Sequence, residues 1–457
     1  MRLVISRVLS PPRRVPLHRR FFPVPDVSAA PGLYPDEPEN CRRARREFLP
    51  IFAQLGLIVA VAWRYHLEGR AFLILLMVAT VALPIHYLLP FRLKKPAFLA
   101  ASLIGLALVF GMTTAAIVVA MGLALIALAR MPVSWMIRAL AMLSAASLLG
   151  LARAGLIGAP IPEVVWPVLG SIFMFRMILY LYEMKHAEGP ETLIDALSYF
   201  FLLPNFCFVH FPVVDYRTFR RGYFAREVHA TQRVGLQMMT RGILHLLAFR
   251  LVYHKLLDRP DDVHSLAGLG LFIVCNYLTY LQVSGQFHMA CGMLHLFGFS
   301  LPETHNNYLL ATGFTDYWRR INIYWKDFMV RVVFNPTVFT LKRRGQPAAL
   351  AAATVVVFAA TWALHGYQTF WIRGSWRFST QDTLFWGILG LFVLVNVQID
   401  ARAPRKARIK CATFTPRMLL ARAGKTLATF ATIAVLWSLW SSNGVGPWLA
   451  MWRRALG

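Results

Sequence analysis

Long apolar runs separated by short basic clusters dominate this chain, and the length of the runs decides what they are. Between Lys95 and Arg130, 34 residues pass without a charge. One helical crossing of a bilayer takes about 20 residues. This run therefore predicts one long tilted helix or two short ones, with Gly111-Met112-Thr113-Thr114 as the break. Similar runs cover 48–63, 71–89, 133–151, 164–182, 193–211, 234–257, 266–283, 287–299, 348–364, 383–397 and 427–440. About eleven to thirteen hydrophobic helical segments are expected. They predict an all-α, polytopic integral membrane protein, with 48–457 as a single transmembrane domain.

Two segments break the pattern. Pro204-Asn205 and Pro212 interrupt the stretch 193–219, and irregular backbone at membrane depth persists only where protein or a cavity covers it. Over 312–339, Trp, Tyr, Arg and Lys at mixed spacing predict a re-entrant or interfacial helix. Both segments are expected to wall a central polar cavity.

Composition sharpens the class. The chain is 57% hydrophobic and 15% charged, against about 25% charged for a soluble domain. The net charge of +27 would suggest nucleic acid in a soluble protein, but its distribution argues against that partner. Lys and Arg gather at 42–46, 92–95, 217–221, 342–344 and 402–410, between apolar runs. Loops on the cytoplasmic side look like this, where basic residues set orientation and meet anionic lipid. Residues 1–47 are basic and rich in Pro and Arg, without the apolar core of a cleavable leader. They predict a disordered arm. The five cysteines show no CxxC spacing and no paired framework.

The chemistry is concentrated in one charged aromatic stretch, Phe314-Thr315-Asp316-Tyr317-Trp318-Arg319-Arg320-Ile321-Asn322-Ile323-Tyr324-Trp325-Lys326-Asp327-Phe328. A lone histidine, His365, follows 43 residues after Asn322, inside an apolar run. Polar groups at membrane depth are costly and usually mark a site that uses them. His288, Cys291 and His295 fall at i, i+3 and i+7, on one helix face, but without a carboxylate nearby they predict interhelical hydrogen bonds and no metal. His245 is read as ordinary. No Gly-x-Ser-x-Gly or P-loop pattern is present.

The order of several motifs over 197–371 resembles the membrane-bound O-acyltransferase (MBOAT) superfamily, in particular its bacterial branch that acylates cell-surface polymers. Ser284-Gly285-Gln286-Phe287-His288-Met289-Ala290-Cys291-Gly292 is similar to the family's SGYxDxAxG segment. Phe297 to Tyr308 is similar to its GFxxPENFNxPY stretch, Phe314 to Trp325 to FWRRWHISL, and Trp362 to Gly366 to the GLWHG histidine. Three positions depart: Ile321 replaces a tryptophan, Asn322 a histidine and His288 an aspartate.

The resemblance implies an acyltransferase of the bacterial inner membrane. It would move an acyl group, most simply acetyl, from a thioester to a hydroxyl of a cell-envelope saccharide or exported glycan. His365 and Asn322 are then the expected catalytic residues, general base and assistant. Trp318, Arg319, Arg320, Trp325 and Lys326 are expected to bind the donor. No cofactor is expected to remain bound; acyl-CoA or an acyl carrier protein supplies the thioester as co-substrate. Expected partners are membrane lipid, the donor, the hydroxyl acceptor and a periplasmic acyltransferase. The departures keep a lipid or small metabolite open as acceptor, and a non-catalytic transporter or scaffold is the competing class.

Overall fold

A computed structural model of the protein describes residues 38–184, 192–207, 214–376, 378–402 and 415–457. Most of the expected N-terminal arm, Pro212 and most of the 402–410 basic cluster lie outside these residues. All regular structure among the described residues is helical. One isolated backbone bridge joins Tyr223 and Phe299. Among the described residues ten helices are long and apolar enough to cross a membrane, so the chain has an all-α, polytopic membrane architecture.

In chain order the helices are α1 (Pro38–Arg64), α2 (Arg70–Leu88), α3 (Phe91–Phe110), α4 (Met112–Ala129), α5 (Trp135–Arg153) and α6 (Val165–Met184). Then come α7 (Leu193–Phe200), α8 (Tyr216–Gly222), α9 (Val228–Leu251), α10 (Leu266–Leu278) and α11 (Leu281–Leu296). Three short helices follow, α12 (Phe314–Arg320), α13 (Ile323–Met329) and α14 (Asn335–Leu341). The last four are α15 (Gln346–Arg373), α16 (Thr380–Arg402), α17 (Pro416–Trp440) and α18 (Val445–Leu456).

The expected break in the uncharged run falls at Gly111, whose φ of +82° suits a residue without Cβ. Elsewhere the boundaries move. α1 begins at Pro38 rather than at 48. The runs 266–283 and 287–299 nearly fuse: their break sits at Thr279-Tyr280, so Ser284-Gly285-Gln286 lies inside α11. Within the described part of segment 193–211, which ends at Cys207, lie α7 and a 3-10 turn, Leu203–Phe206. The ten candidate spans among the described residues, with the shorter apolar stretch Leu193–Phe206 and the more polar α9, account for the eleven to thirteen hydrophobic segments expected. The expected re-entrant segment is three short helices, with a π turn at Val330–Phe334 between the last two.

Buried arginines close the helix ends that the breaks expose. Carbonyls in the last turn of a helix have no partner within it. Arg176, 1% exposed, donates from Nη1 to the carbonyls of Tyr199 (3.0 Å) and Phe200 (3.2 Å), and from Nη2 to Asn205 Oδ1 (3.1 Å). Arg153 does the same at the end of α15, donating to the carbonyls of Trp371 (3.1 Å) and Ile372 (2.8 Å). A cation at a helix C-terminus also complements the helix dipole.

Helices α9 and α11 pack antiparallel through paired glycines. Gly242 faces Gly285 and Gly235 faces Gly292, so the backbones approach closely. A Cβ on Gly292 would lie 2.6 Å from the Gly235 carbonyl oxygen. Small residues permit such approach where lipid supplies no hydrophobic drive. Two apolar clusters fill the interior, one mostly from α1–α4, α6, α7, α9 and α11, the other mostly from α10 and α12–α18. α15 belongs to both: Val357 and Phe358 enter one, Phe370 and Trp371 the other, with His365 between them in sequence.

Candidate functional site

The site is built on the turn between α12 and α13. α12 ends at Arg320 and Ile321 is extended. Asn322 then takes a left-handed conformation (φ 39°, ψ 64°) that Asn tolerates better than most side chains. Its Oδ1 accepts the Trp325 N–H at 3.3 Å, capping α13. With Oδ1 committed, the Nδ2 amide is the group left to donate. The turn is pinned from outside: Ile323 N–H donates to the Thr304 carbonyl (2.8 Å), and Asn306 N–H to the Arg320 carbonyl (2.9 Å).

Trp325 links this turn to α15. Its ring lies 5.6 Å from the His365 ring, centroid to centroid, and its Nε1–H donates to Thr361 Oγ1 at 3.4 Å, one helical turn before His365. Trp386 of α16 (4.7 Å) and Trp440 of α17 (5.9 Å) complete an aromatic wall around the half-buried imidazole. Trp440 is itself fixed by donating Nε1–H to Asp382 Oδ1 at 2.5 Å. His365 thus packs on the ring of a tryptophan whose backbone N–H is capped by Asn322, three residues earlier. Trp386, Trp440 and Asp382 escaped the sequence reading. The signal was the Trp437-Ser-Leu-Trp440 spacing, which alone reads as an interfacial belt.

The expected donor-binding residues divide. Trp318 packs on Phe358 (4.8 Å) in the second apolar cluster. Arg320 Nε pairs with Asp316 Oδ1 at 2.8 Å and Lys326 Nζ with Asp327 Oδ1 at 2.5 Å. A phosphate bound by either cation would compete with a carboxylate already in place. Arg319 is half-buried. Tyr317 and Tyr324 are core residues, 3% and 4% exposed.

Of the interhelical bonds expected on the face of His288, Cys291 and His295, Cys291 makes the one to another helix, whereas both histidines bond carbonyls of their own helix four residues back. His295 donates Nδ1–H to the Cys291 carbonyl (2.8 Å) and accepts the Leu301 N–H at Nε2 (3.2 Å). Cys291 Sγ lies 3.5 Å from the Tyr324 hydroxyl, which joins α11 to α13. Among the described residues one His and carboxylate group has ligand atoms within 4.8 Å of one another: Glu47, Glu227 and His229. Arg233 already sits there, 3.2 Å from Glu47 Oε2 and 3.9 Å from Glu227 Oε2, so the group is an ion-pair network tying α1 to α9. Burial raises the Glu227 carboxyl, but hydrogen bonds from the His229 ring and from the N–H groups of His229 and Ala230 outweigh it and hold the pKa at about 2.

No protein-family profile matches this chain, and no curated protein matches it. The family resemblance rests on the motifs alone.

Proposed function

We propose that this protein is a membrane O-acyltransferase that moves an acyl group, acetyl in the simplest case, from a thioester to a hydroxyl of a cell-envelope saccharide or exported glycan. The observation that supports the reading is that the His365 ring lies 5.6 Å from that of Trp325, three residues after Asn322 and at the end of a different motif of the resemblance.

In the proposed reaction His365 takes the proton of the acceptor hydroxyl as its oxygen attacks the thioester carbonyl. The ordinary imidazole pKa of about 6.5 suits a base at working pH. The Asn322 Nδ2 amide donates to the oxyanion that develops on the carbonyl oxygen, a contribution of about 3 kcal/mol in comparable sites. The C–O ester bond forms, the C–S bond breaks, and the leaving thiolate takes its proton from the imidazolium. The tryptophan wall excludes bulk water, which would otherwise compete as acceptor.

Mass spectrometry of envelope glycans and small metabolites tests the reading in cells with and without the gene. An acyl ester that disappears with the gene, returns with the wild-type protein and does not return with His365→Ala supports it. Identical acylation in all three strains contradicts it.

A further inference from the structure

α11 turns a polar stripe toward the loop that pins Asn322. Ser284, His288, Cys291 and His295 lie at i, i+4, i+7 and i+11, one face of the helix, and all are buried. His295 has both ring nitrogens bonded, and Cys291 meets Tyr324. His288 is different. Its Nδ1 lies 2.6 Å from the Ser284 carbonyl, which can only accept, so Nδ1 carries the proton and Nε2 is an acceptor. That Nε2 is wholly buried on a residue 2% exposed, with no hydrogen-bond partner among the described residues. Leaving a buried acceptor unmade costs about 1–3 kcal/mol.

The surroundings say what would satisfy it. The His245 and His305 rings lie 5.3 and 5.7 Å from the His288 ring. His245 Nδ1 is 2.7 Å from the Ser284 hydroxyl, and His305 Nε2 is 2.9 Å from the Tyr280 hydroxyl. Burial drives the His305 pKa well below its ordinary value, so this ring is neutral. The charge that reaches His245 and His288 is a cation, Arg241, so the group offers no anion to hold a cationic ligand. A metal does not fit the arrangement either, because these imidazole nitrogens do not all come within 4.8 Å of one another. Neutral imidazoles interleaved with Ser and Tyr hydroxyls are partners for uncharged hydroxyl groups. The position matters as well: His305 sits between Thr304 and Asn306, whose backbones hold Ile323 and Arg320 on either side of Asn322.

We propose that His288, with Ser284, His245 and His305, forms a subsite for the hydroxyl groups of a neutral polyol, adjoining the Asn322 turn. Its assignment to the acceptor rests on the acyl-transfer reading; its chemistry rests on the burial and geometry of the cluster.

The test uses the full chain in lipid nanodiscs, with glycerol and methyl β-D-glucopyranoside as probes. Saturation-transfer-difference NMR should show probe signal with wild type, loss of most of it with His288→Leu, and recovery with His288→Gln, whose side chain restores an acceptor. Ser284→Ala should weaken it too, and it carries the test if His288→Leu does not fold. No signal with wild type, or equal signal across the variants, overturns the subsite. Turnover with acetyl-CoA and the same probes gives the second reading: His288→Leu should raise the acceptor KM about tenfold, the worth of one hydrogen bond, and leave the acetyl-CoA KM unchanged. Probe binding without any acyl transfer contradicts the acyltransferase reading and keeps the subsite; transfer with an unchanged acceptor KM does the reverse.

Discussion

Asn322 carries two duties that single substitutions can separate. Its Oδ1 caps α13 and its backbone is left-handed, while its Nδ2 is the proposed oxyanion donor. Aspartate caps helices as well as asparagine but cannot donate from an ionised carboxylate. Asn322→Asp should therefore keep the unfolding temperature while ester formation falls about 10²–10³-fold, as for loss of one oxyanion donor; thermal unfolding beside a turnover assay checks both. Full activity in Asn322→Asp would remove the amide from the chemistry. Glu227 gives a second residue-scale prediction. Its pKa is about 2 in the folded protein against an ordinary 4.5, so the folded state favours the carboxylate. The stabilisation is full above pH 4.5, shrinks as pH falls, and is gone below about 2. The unfolding-temperature difference between wild type and Glu227→Gln should follow that curve in a pH series.

At the scale of elements, the α9–α11 pair is the least forgiving contact. A Cβ on Gly292 would lie 2.5 Å from Met239 Cγ as well as close to the Gly235 carbonyl. Gly292→Ala should cost about 1–3 kcal/mol, and Gly292→Leu should abolish the monodisperse peak in size-exclusion chromatography. By contrast, Gly56→Ala meets open space and should elute as wild type. Hydropathy made most spans legible, since length and the absence of charge decide them without knowledge of neighbours. α9 also announced itself, although its His, Gln and Arg residues dilute the apolar run. What the pattern did not disclose was where breaks fall inside apolar stretches. Thr279-Tyr280 carries no Pro or Gly, whereas Ser284-Gly285-Gln286 looks like a break but supplies the small residue that α9 needs. The amphipathic α18 was missed because it is too short to span.

At the scale of the molecule, the alternation of spans places the basic clusters. Arg233 pairs with Glu47, which sets the start of α9 beside α1, and Arg217 N–H donates to Glu183 Oε2, which sets the start of α8 beside the end of α6; the alternation of spans puts both contacts on one face. Arg250 bonds the Tyr65 and His66 carbonyls, and Arg153 bonds the end of α15, which defines the opposite face. Arg92–Lys95, Arg217–Arg221 and Lys342–Arg344 then all fall on the first face, which the basic-residue rule makes cytoplasmic. A membrane-impermeant maleimide applied to intact cells should label Ser442→Cys and spare Lys342→Cys; the reverse would invert the topology. His365 lies 19 residues into α15, about 28 Å along it at 1.5 Å per residue, nearer the opposite face. On the acyl-transfer proposal, a cytosolic thioester would have to reach deep into the fold. Motif order singled out His365 and the stretch that holds Trp325, whose rings pack together, while Trp386 and Trp440 against His365 come from α16 and α17, outside every motif, and only packing reveals them.

The central claim is that His365 is the base for ester formation. The direct measurement is transfer of radiolabelled acetyl from acetyl-CoA to a hydroxyl acceptor, comparing wild type and His365→Ala at equal abundance in membranes. Loss of a general base predicts a fall of about 10²–10⁴-fold, with the unfolding temperature little changed. Equal transfer by the two proteins would contradict the account.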